Sequence, residues 1–410
     1  MSIFTFLMDL ARKEFKIESL SGRDRLGFDR PAGLYIHIPF CSERCDFCPY
    51  NKVKYHREAA AGYPQALERE LELQGVKVFS SLYIGGGTPT LDMDLLEDVI
   101  NRFSNSVDGE LALEVHPADA TVEKLERIKG TGIDFVSLGI QSFNDRTLQK
   151  MGRKRQSAAL SREAIERVVL AGFDFVDVDL IFDFELESER TARDLEIAMD
   201  YGPHQISVYP MMRFTGTALA GTKNDPDREL QILEILEERA RKRGYSRDTL
   251  WTFKKHGESK RYSSVSREFF LGLGTSASSF NGGQFTTNTF SLDEYYRYLD
   301  GDRIPVRRAI EMNTFQASLY YSFWALYGGS LDQERLRSLF GEPDIRLSGL
   351  LELARKTGYL RQEREKLVPT KKGYRELHMI EEWLTYNFID VIWTELREEA
   401  ANRAHPGSVW

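Results

Sequence analysis

Six short runs rich in β-branched and aromatic residues, Leu34–Ile38, Ser81–Gly85, Leu111–Val115, Phe135–Gly139, Phe175–Ile181 and Ile206–Tyr209, alternate with stretches of helical spacing such as Pro64–Gln74 and Ala158–Ala171. Strands that alternate with helices pair in parallel, because a parallel neighbour is reached only through a crossover. Right-handed crossovers repeated in series curl the sheet towards an open or closed barrel. Chemistry on such a sheet collects at the carboxyl ends of the strands.

Directly after the first run, the chain places all three of its cysteines, Cys41, Cys45 and Cys48, in Tyr35-Ile-His-Ile-Pro-Phe-Cys-Ser-Glu-Arg-Cys-Asp-Phe-Cys-Pro-Tyr50. Three thiolates on one short loop can hold three corners of a cubane iron–sulfur cluster, and the fourth iron is left open to a ligand. Open metal positions are where reactions occur. An odd number of cysteines argues against a disulfide framework, as does the lack of a signal-peptide pattern. Zinc on the three cysteines with His37 or His56 is the leading alternative.

The cysteine run is followed, in order, by Gly85-Gly-Gly-Thr-Pro-Thr90, Glu114-Val-His-Pro117, Leu138-Gly-Ile-Gln-Ser-Phe143 and Val178-Asp-Leu-Ile181. Together these resemble the motifs of radical S-adenosylmethionine (SAM) enzymes of the HemN-like branch, the group containing oxygen-independent coproporphyrinogen III oxidase. The resemblance spans about residues 33–220 and implies a partial (β/α)6 barrel. It implies a 4Fe-4S cluster on Cys41, Cys45 and Cys48, and two SAM molecules. Tyr35, the backbone of Gly85, Gly86, Gly87 and Thr88, and Glu114 would serve the first SAM. Gln141, Arg153 and Asp179, with Phe47, Gly86 and Gly87 nearby, would serve the second. Each type suits its ligand: glycine admits close backbone approach, arginine forks onto a carboxylate and aspartate accepts ribose hydroxyls. Asp177 shares the strand face of Asp179, so the residues alone do not choose between them. Arg153, within the basic run Lys150 to Arg155, reads on its own as a surface charge.

Within the branch three activities differ at identifiable positions. The oxidases carry a further cysteine shortly after the triplet, where this chain has Pro49-Tyr50-Asn51. The heme-binding chaperones carry Gly-Arg-x-His and His-Asn-x-x-Tyr-Trp segments, where this chain has Gly152-Arg-Lys-Arg155 and Arg261-Tyr-Ser-Ser-Val-Ser-Arg267. These departures favour the class C methyltransferases, and menaquinone methylation at C-8 is the specific expectation. The second SAM would then supply a methyl group to an sp2 carbon, and no residue identifies the base. A coproporphyrinogen oxidase-like enzyme and a non-catalytic heme or cofactor carrier are the alternatives. Trp251-Thr-Phe-Lys254, Tyr262–Ser266 and Phe285–Phe290 form the expected aromatic substrate surface, with core packing as the competing reading.

A second unit follows the barrel. Residues 1–30 read as a helix and linker, 31–300 as the barrel with an extension, and 301–410 as a smaller, mainly helical, winged-helix-like domain. That domain contains helices Leu331–Phe340 and Ile345–Thr357 and a hairpin near Tyr359–Val368. Met379–Ala401 is an aromatic amphipathic helix; its acidic polar face favours packing on the body over peripheral membrane contact. No stretch of about eighteen apolar residues occurs. A formal charge of -8 excludes a general nucleic-acid surface. The expected setting is cytoplasmic, with an electron donor such as flavodoxin or ferredoxin as partner.

Overall fold

All six runs form strands in the computed structural model, which describes residues 13–22, 25–28, 30–183, 188–221, 224–262 and 268–403. They are β1 (Ala32–Ile38), β2 (Phe79–Gly86), β3 (Leu111–Val115), β4 (Phe135–Gln141), β5 (Phe175–Phe182) and β6 (Gln205–Pro210), each parallel to the next. Crossover helices α1 (Tyr63–Gln74), α2 (Met93–Phe103), α3 (Val122–Gly130), α4 (Ala158–Leu170) and α5 (Ser188–Asp200) cover the outer face. Local chemistry sets their ends. The Asp92 carboxylate caps α2 by accepting from the Leu95 amide at 3.1 Å, and Gly75 ends α1 in the left-handed region at φ 71°. Leu96, Val99, Ile100 and Phe103 repeat at helical spacing and are fully buried against the sheet. Each contributes about 1.5–3 kcal/mol by leaving water.

The parallel series is extended at both edges. Helix α6 (Pro226–Lys242) leads to β7 (Tyr245–Arg247) and β8 (Thr252–Lys255), and β8 pairs antiparallel with β6. Strand β9 (Phe270–Leu273) runs parallel to β1 on its other edge. Antiparallel strands β10 (Ser278–Phe280), β11 (Gln284–Asn288) and β12 (Val306–Glu311) then continue outward, with helix α7 (Leu292–Asp300) before β12. With the two-residue strand Glu18–Ser19 pairing antiparallel with β12, the result among the described residues is one open sheet of 13 strands, whose inner curl is the partial barrel.

The remaining elements are α8 (Thr314–Tyr327), β13 (Leu331–Asp332), α9 (Gln333–Phe340), α10 (Ile345–Lys356), β14 (Leu360–Glu363) and β15 (Lys366–Pro369), in winged-helix order. Leu331 and Asp332 are strand residues, because Asp332 caps α9 through the Arg335 amide. The expected single helix Met379–Ala401 is interrupted. Helix α11 (Lys371–Leu384) passes through a π-helical turn at Thr385–Ile389 into α12 (Asp390–Arg403). In that turn the Tyr386 hydroxyl accepts from the Arg213 amide at 3.0 Å and donates to Asn224 at 2.8 Å.

Helix α12 lies on the barrel. Arg307 and Arg308 of β12 pair with Glu395 and Glu399, and Asp390 accepts from the amide and hydroxyl of Thr215. Helices α6 and α11 meet at a buried joint, where His378 Nε2 lies 3.0 Å from Glu229. The Trp251 indole donates to His378 Nδ1 at 3.2 Å, so the imidazole proton sits on Nε2 and faces the acids. With its free nitrogen protonated, His378 is not available as a cation ligand. No helix among the described residues is long and apolar enough to cross a membrane.

Candidate active site

Strand register builds the floor of the site. In the β1–β2, β3–β4, β4–β5 and β5–β6 ladders, His37 pairs with Gly85, Glu114 with Ser137, Ser137 with Asp177, and Asp177 with Gln205. Alternation aims this row at the inner face of the curl, a polar layer above the apolar and aromatic layer of Tyr35, Tyr83, Ala112, Phe135 and Phe175. Glu114 and Asp179 were legible from the sequence, whereas Tyr83, two residues before Gly85, and Ser137 were not. The Tyr83 hydroxyl donates to Glu114 at 2.7 Å, and Ser137 donates to Asp179 at 2.6 Å.

Burial dominates the ionisation of this layer. It raises the Glu114 carboxyl against hydrogen bonds from Tyr83 and the Gly86 amide. It raises Asp179 further with help from the neighbouring Asp177 charge, so both favour the neutral form of Asp179. Asp177 is the deeper of the two and is satisfied by Ser207 at 2.9 Å and the Val178 amide at 2.9 Å. Asp179 lies nearer the mouth.

The cysteine loop lies over this floor. Cys41 ends the short strand Phe40–Cys41, and its Sγ is 3.5 Å from the Thr88 hydroxyl. Burial pushes the Cys41 thiol up to about 12 and raises Cys45 as well. Ionised sulfurs in this pocket therefore require a cationic partner. His37 does not supply the fourth ligand that zinc would need. Its Nε2 faces the Asn51 carbonyl at 3.2 Å and carries the proton, and its Nδ1 accepts from the Tyr35 hydroxyl at 2.9 Å. Burial pushes the imidazole down to about 4, so it stays neutral and fully engaged. His56 is exposed. Three thiols without a protein-derived fourth ligand fit a cubane cluster.

The glycine run has a cause within the protein itself. A Cβ at Gly87 would lie 2.7 Å from the carbonyl oxygens of both Pro39 and Phe40. At Gly86, which has φ of 120°, a Cβ would meet the Ile38 carbonyl at 2.8 Å, and at Gly85 it would meet the Glu114 carboxylate at 2.7 Å. The run lets the end of β2 press beneath the chain that enters the cysteine loop. The Gly87 amide donates to Ile38 at 2.7 Å and the Thr88 amide to Phe40 at 2.9 Å.

Arg153 is buried, not a surface charge. Its guanidinium donates to the Gly139 carbonyl, approaches Cys45 Sγ at 3.9 Å, and lies 5.9 Å from the centre of the Phe47 ring. Its Nε has no partner and is buried, a donor held ready at the cysteine loop. Gln141 ends β4 at φ 65°, a left-handed conformation costing a non-glycine residue about 1–3 kcal/mol. Of the rest of the basic run, Arg155 turns to the loop while Lys150 and Lys154 are exposed: Arg155 reaches Asp119 and Ser42, its amide donates to Glu43, and Asp46 donates through its amide to the Met151 carbonyl. This segment clamps the cysteine loop from the β4 side.

The expected aromatic substrate surface divides differently. Trp251 and Phe253 are core residues, as the competing reading held. Tyr262 packs 5.1 Å from Tyr83, while Ser263–Ser266 lie outside the described residues. Phe290 contacts Trp393, which also stacks on Phe214 and meets Tyr50 at 5.6 Å.

Residues 35–195 match the family model of the radical SAM superfamily. The chain is 30% identical over 301 residues to the heme chaperone HemW of Bacillus subtilis, covering 68% of this chain and 79% of that protein. It is 26% identical over 330 residues to the oxygen-independent coproporphyrinogen III oxidase of Pseudomonas aeruginosa, covering 71% of each. The structure of coproporphyrinogen III oxidase (HemN) from Escherichia coli superposes with a TM-score of 0.71 at 22% identity, over 86% of this chain and 90% of that one, which establishes a shared fold. These relatives overturn the expectation of menaquinone methylation at C-8: the named proteins handle heme or coproporphyrinogen, and none is a methyltransferase. The sequence reading treated a missing cysteine and missing histidines as evidence for a third activity. The absence of a ligand from a loop does not establish another chemistry.

Proposed function

We propose, from the premise that the chain belongs to the HemN-like radical SAM family, that it is a radical SAM enzyme acting on a tetrapyrrole, in the manner of an oxygen-independent coproporphyrinogen III oxidase. The family implies a 4Fe-4S cluster and SAM, and the observation that carries the enzymatic reading is the convergence of the three thiols, Glu114, Arg153 and Asp179 over one strand-end floor. When bound, the reduced cluster supplies the electron that cleaves SAM to a carbon-centred radical. Cys41, Cys45 and Cys48 would hold it. Glu114, fixed by Tyr83 and the Gly86 amide, presents a carboxyl edge to a ribose. Arg153 presents cationic donors suited to a carboxylate. Gln141, Arg153 and Asp179 form the proposed site for a second SAM, with Phe47 as its apolar side. Tyr35, Tyr83 and Tyr262 are held protonated by burial, which suits them to donate hydrogen bonds rather than to act as bases. A flavodoxin or ferredoxin would supply the electron.

Identity of 30% to a heme chaperone supports a second reading, a heme carrier. Four described histidines have an internal role: His37, His116, His204 and His378 each accept or donate through a ring nitrogen, whereas His56 and His256 are exposed. The experiment gives anaerobically reconstituted protein SAM, a reductant and either coproporphyrinogen III or heme. The enzymatic reading expects 5′-deoxyadenosine and decarboxylated product with coproporphyrinogen III. Stoichiometric heme binding and transfer to an apoprotein, without product from coproporphyrinogen III, would replace it with the carrier reading.

A further inference from the structure

A notch of about 430 Å³ opens between the cysteine loop and helix α12, and its wall includes Cys48. Its volume lies within the range of small-molecule sites, which are mostly apolar with a few convergent polar groups. Tyr50 and Phe290 supply aromatic wall, Arg44, Lys52 and Arg397 supply positive charge, and Asp293 and Glu398 also line the notch. The three cations share an arrangement. Arg44 donates to the Gly216 carbonyl at 2.5 Å, Lys52 to the Cys48 carbonyl at 2.7 Å, and Arg397 to the Pro49 carbonyl at 2.9 Å. Neutral main-chain carbonyls orient Arg44 and Lys52 without cancelling their charge, whereas Arg397 also forms an ion pair with Asp390. Arg397 keeps a buried Nη2 without a hydrogen bond, 3.7 Å from Asp390. In a chain of formal charge -8, this places fixed positive charge around an aromatic-walled notch beside the third cysteine.

We propose that this notch is a binding site for a tetrapyrrole macrocycle bearing carboxylates, with Tyr50 and Phe290 against its pyrrole rings and Arg44, Lys52 and Arg397 selecting the acid groups. The inference rests on the tetrapyrrole reading above for its ligand class and adds the place and the selecting charges. Stacking contributes sequence-independent affinity, and charge-assisted bonds confer selectivity for the free acid.

The test uses the full-length, cluster-loaded protein and coproporphyrin III, with its tetramethyl ester as the uncharged control, followed by the shift and intensity of the porphyrin absorbance. The free acid should bind at least tenfold more tightly than the ester. Arg44→Gln should remove at least tenfold of the free-acid affinity while leaving ester affinity within about twofold. Ala400→Trp, which fills the notch from α12, should abolish binding of both without changing iron content. Equal binding of acid and ester, or unchanged binding in Ala400→Trp, overturns the proposal. So does the pattern in which Arg44→Gln slows reduction by flavodoxin but leaves porphyrin binding intact, which would assign the notch to an acidic protein partner. If porphyrin binds as expected but no SAM is cleaved, the enzymatic reading fails and the site stands. If SAM is cleaved while the notch binds no porphyrin, the site fails alone.

Discussion

Replacing Gly87 by alanine separates a packing role for the glycine run from a ligand-cradling one. The new Cβ would sit 2.7 Å from two backbone oxygens, Pro39 O and Phe40 O, whereas ordinary contact begins at 3.4 Å, so roughly 0.7 Å must be recovered (3.4 less 2.7). Neither oxygen can rotate away, because both belong to main chain pinned by the amides of Gly87 and Thr88 and by the Val53 amide on Pro39. Overpacking of this kind costs about 1–3 kcal/mol. The strain is expressed where Thr88 meets Cys41, so cluster loading should fall with stability. At Gly85 the nearest atoms to the added Cβ are those of the Glu114 carboxylate, which can shift by giving up its bonds from Tyr83 and the Gly86 amide while the backbone stays in place, so Gly85→Ala should cost about 1 kcal/mol, less than Gly87→Ala, and retain iron while weakening SAM binding. Urea unfolding of the apoprotein, iron and sulfide content after reconstitution, and SAM titration together read these differences. Gly87→Ala with full cluster content and a stability loss below about 0.5 kcal/mol would refute the packing argument, as would equal costs at the two positions.

The Glu229, Glu381 and Glu382 carboxyls are raised by burial, to about 8, 8 and 7. Because these folded-state values lie above the unfolded one, their stabilising contribution is complete below about pH 4 and is lost as pH rises through about 7–8; urea midpoints at pH 6 and 9 should therefore differ more in wild type than in Glu381→Gln, and identical slopes would contradict this. Arg153→Gln should lower SAM affinity by about 1.5–3 kcal/mol with iron content unchanged, as measured by calorimetry; a colourless, iron-free variant would instead make Arg153 a support of the loop. Arg308→Gln removes a side chain that is 5% exposed and pairs with two glutamates. The partly exposed partners limit the cost to about 1–2 kcal/mol, and amide exchange should rise selectively in α12; protection unchanged there would show the pairs to be incidental.

The fold was legible because its information is local. Each of β1 to β6 is a short, largely buried run, and α2, α3 and α4 carry side-chain N-caps at Asp92, Thr121 and Ser157. Register was not legible, since single-strand patterns do not state which residue opposes which. The row from His37 to Gln205, and with it the roles of Tyr83 and Ser137, emerges only from the pairing. Arg153 reads as a surface charge because its neighbours Lys150, Lys154 and Arg155 are polar; its burial comes from the cysteine loop more than a hundred residues earlier. The glycine run was recognised but assigned one cause where the packing of Pro39 and Phe40 supplies another. Trp251 and Phe253 were placed on a surface because strand β8 continues the sheet past the barrel, an edge that no short motif announces. The substrate expectation failed for a related reason: the motifs that carry the resemblance surround the cysteine loop and the strand ends, and none of them states a substrate.

The bond from Arg397 to the Pro49 carbonyl joins residues 348 positions apart. At about 5–20 residues synthesised per second, roughly 20–70 s separate the emergence of the cysteine loop from that of its last clamp. During translation, then, the cysteine loop meets the β4-side segment, Gly216 and Phe290 before it meets Arg397, and the notch lacks its α12 wall. A chain shortened before α12 would therefore keep the loop's other anchors and lose only the cover and the Arg397 bond on that side.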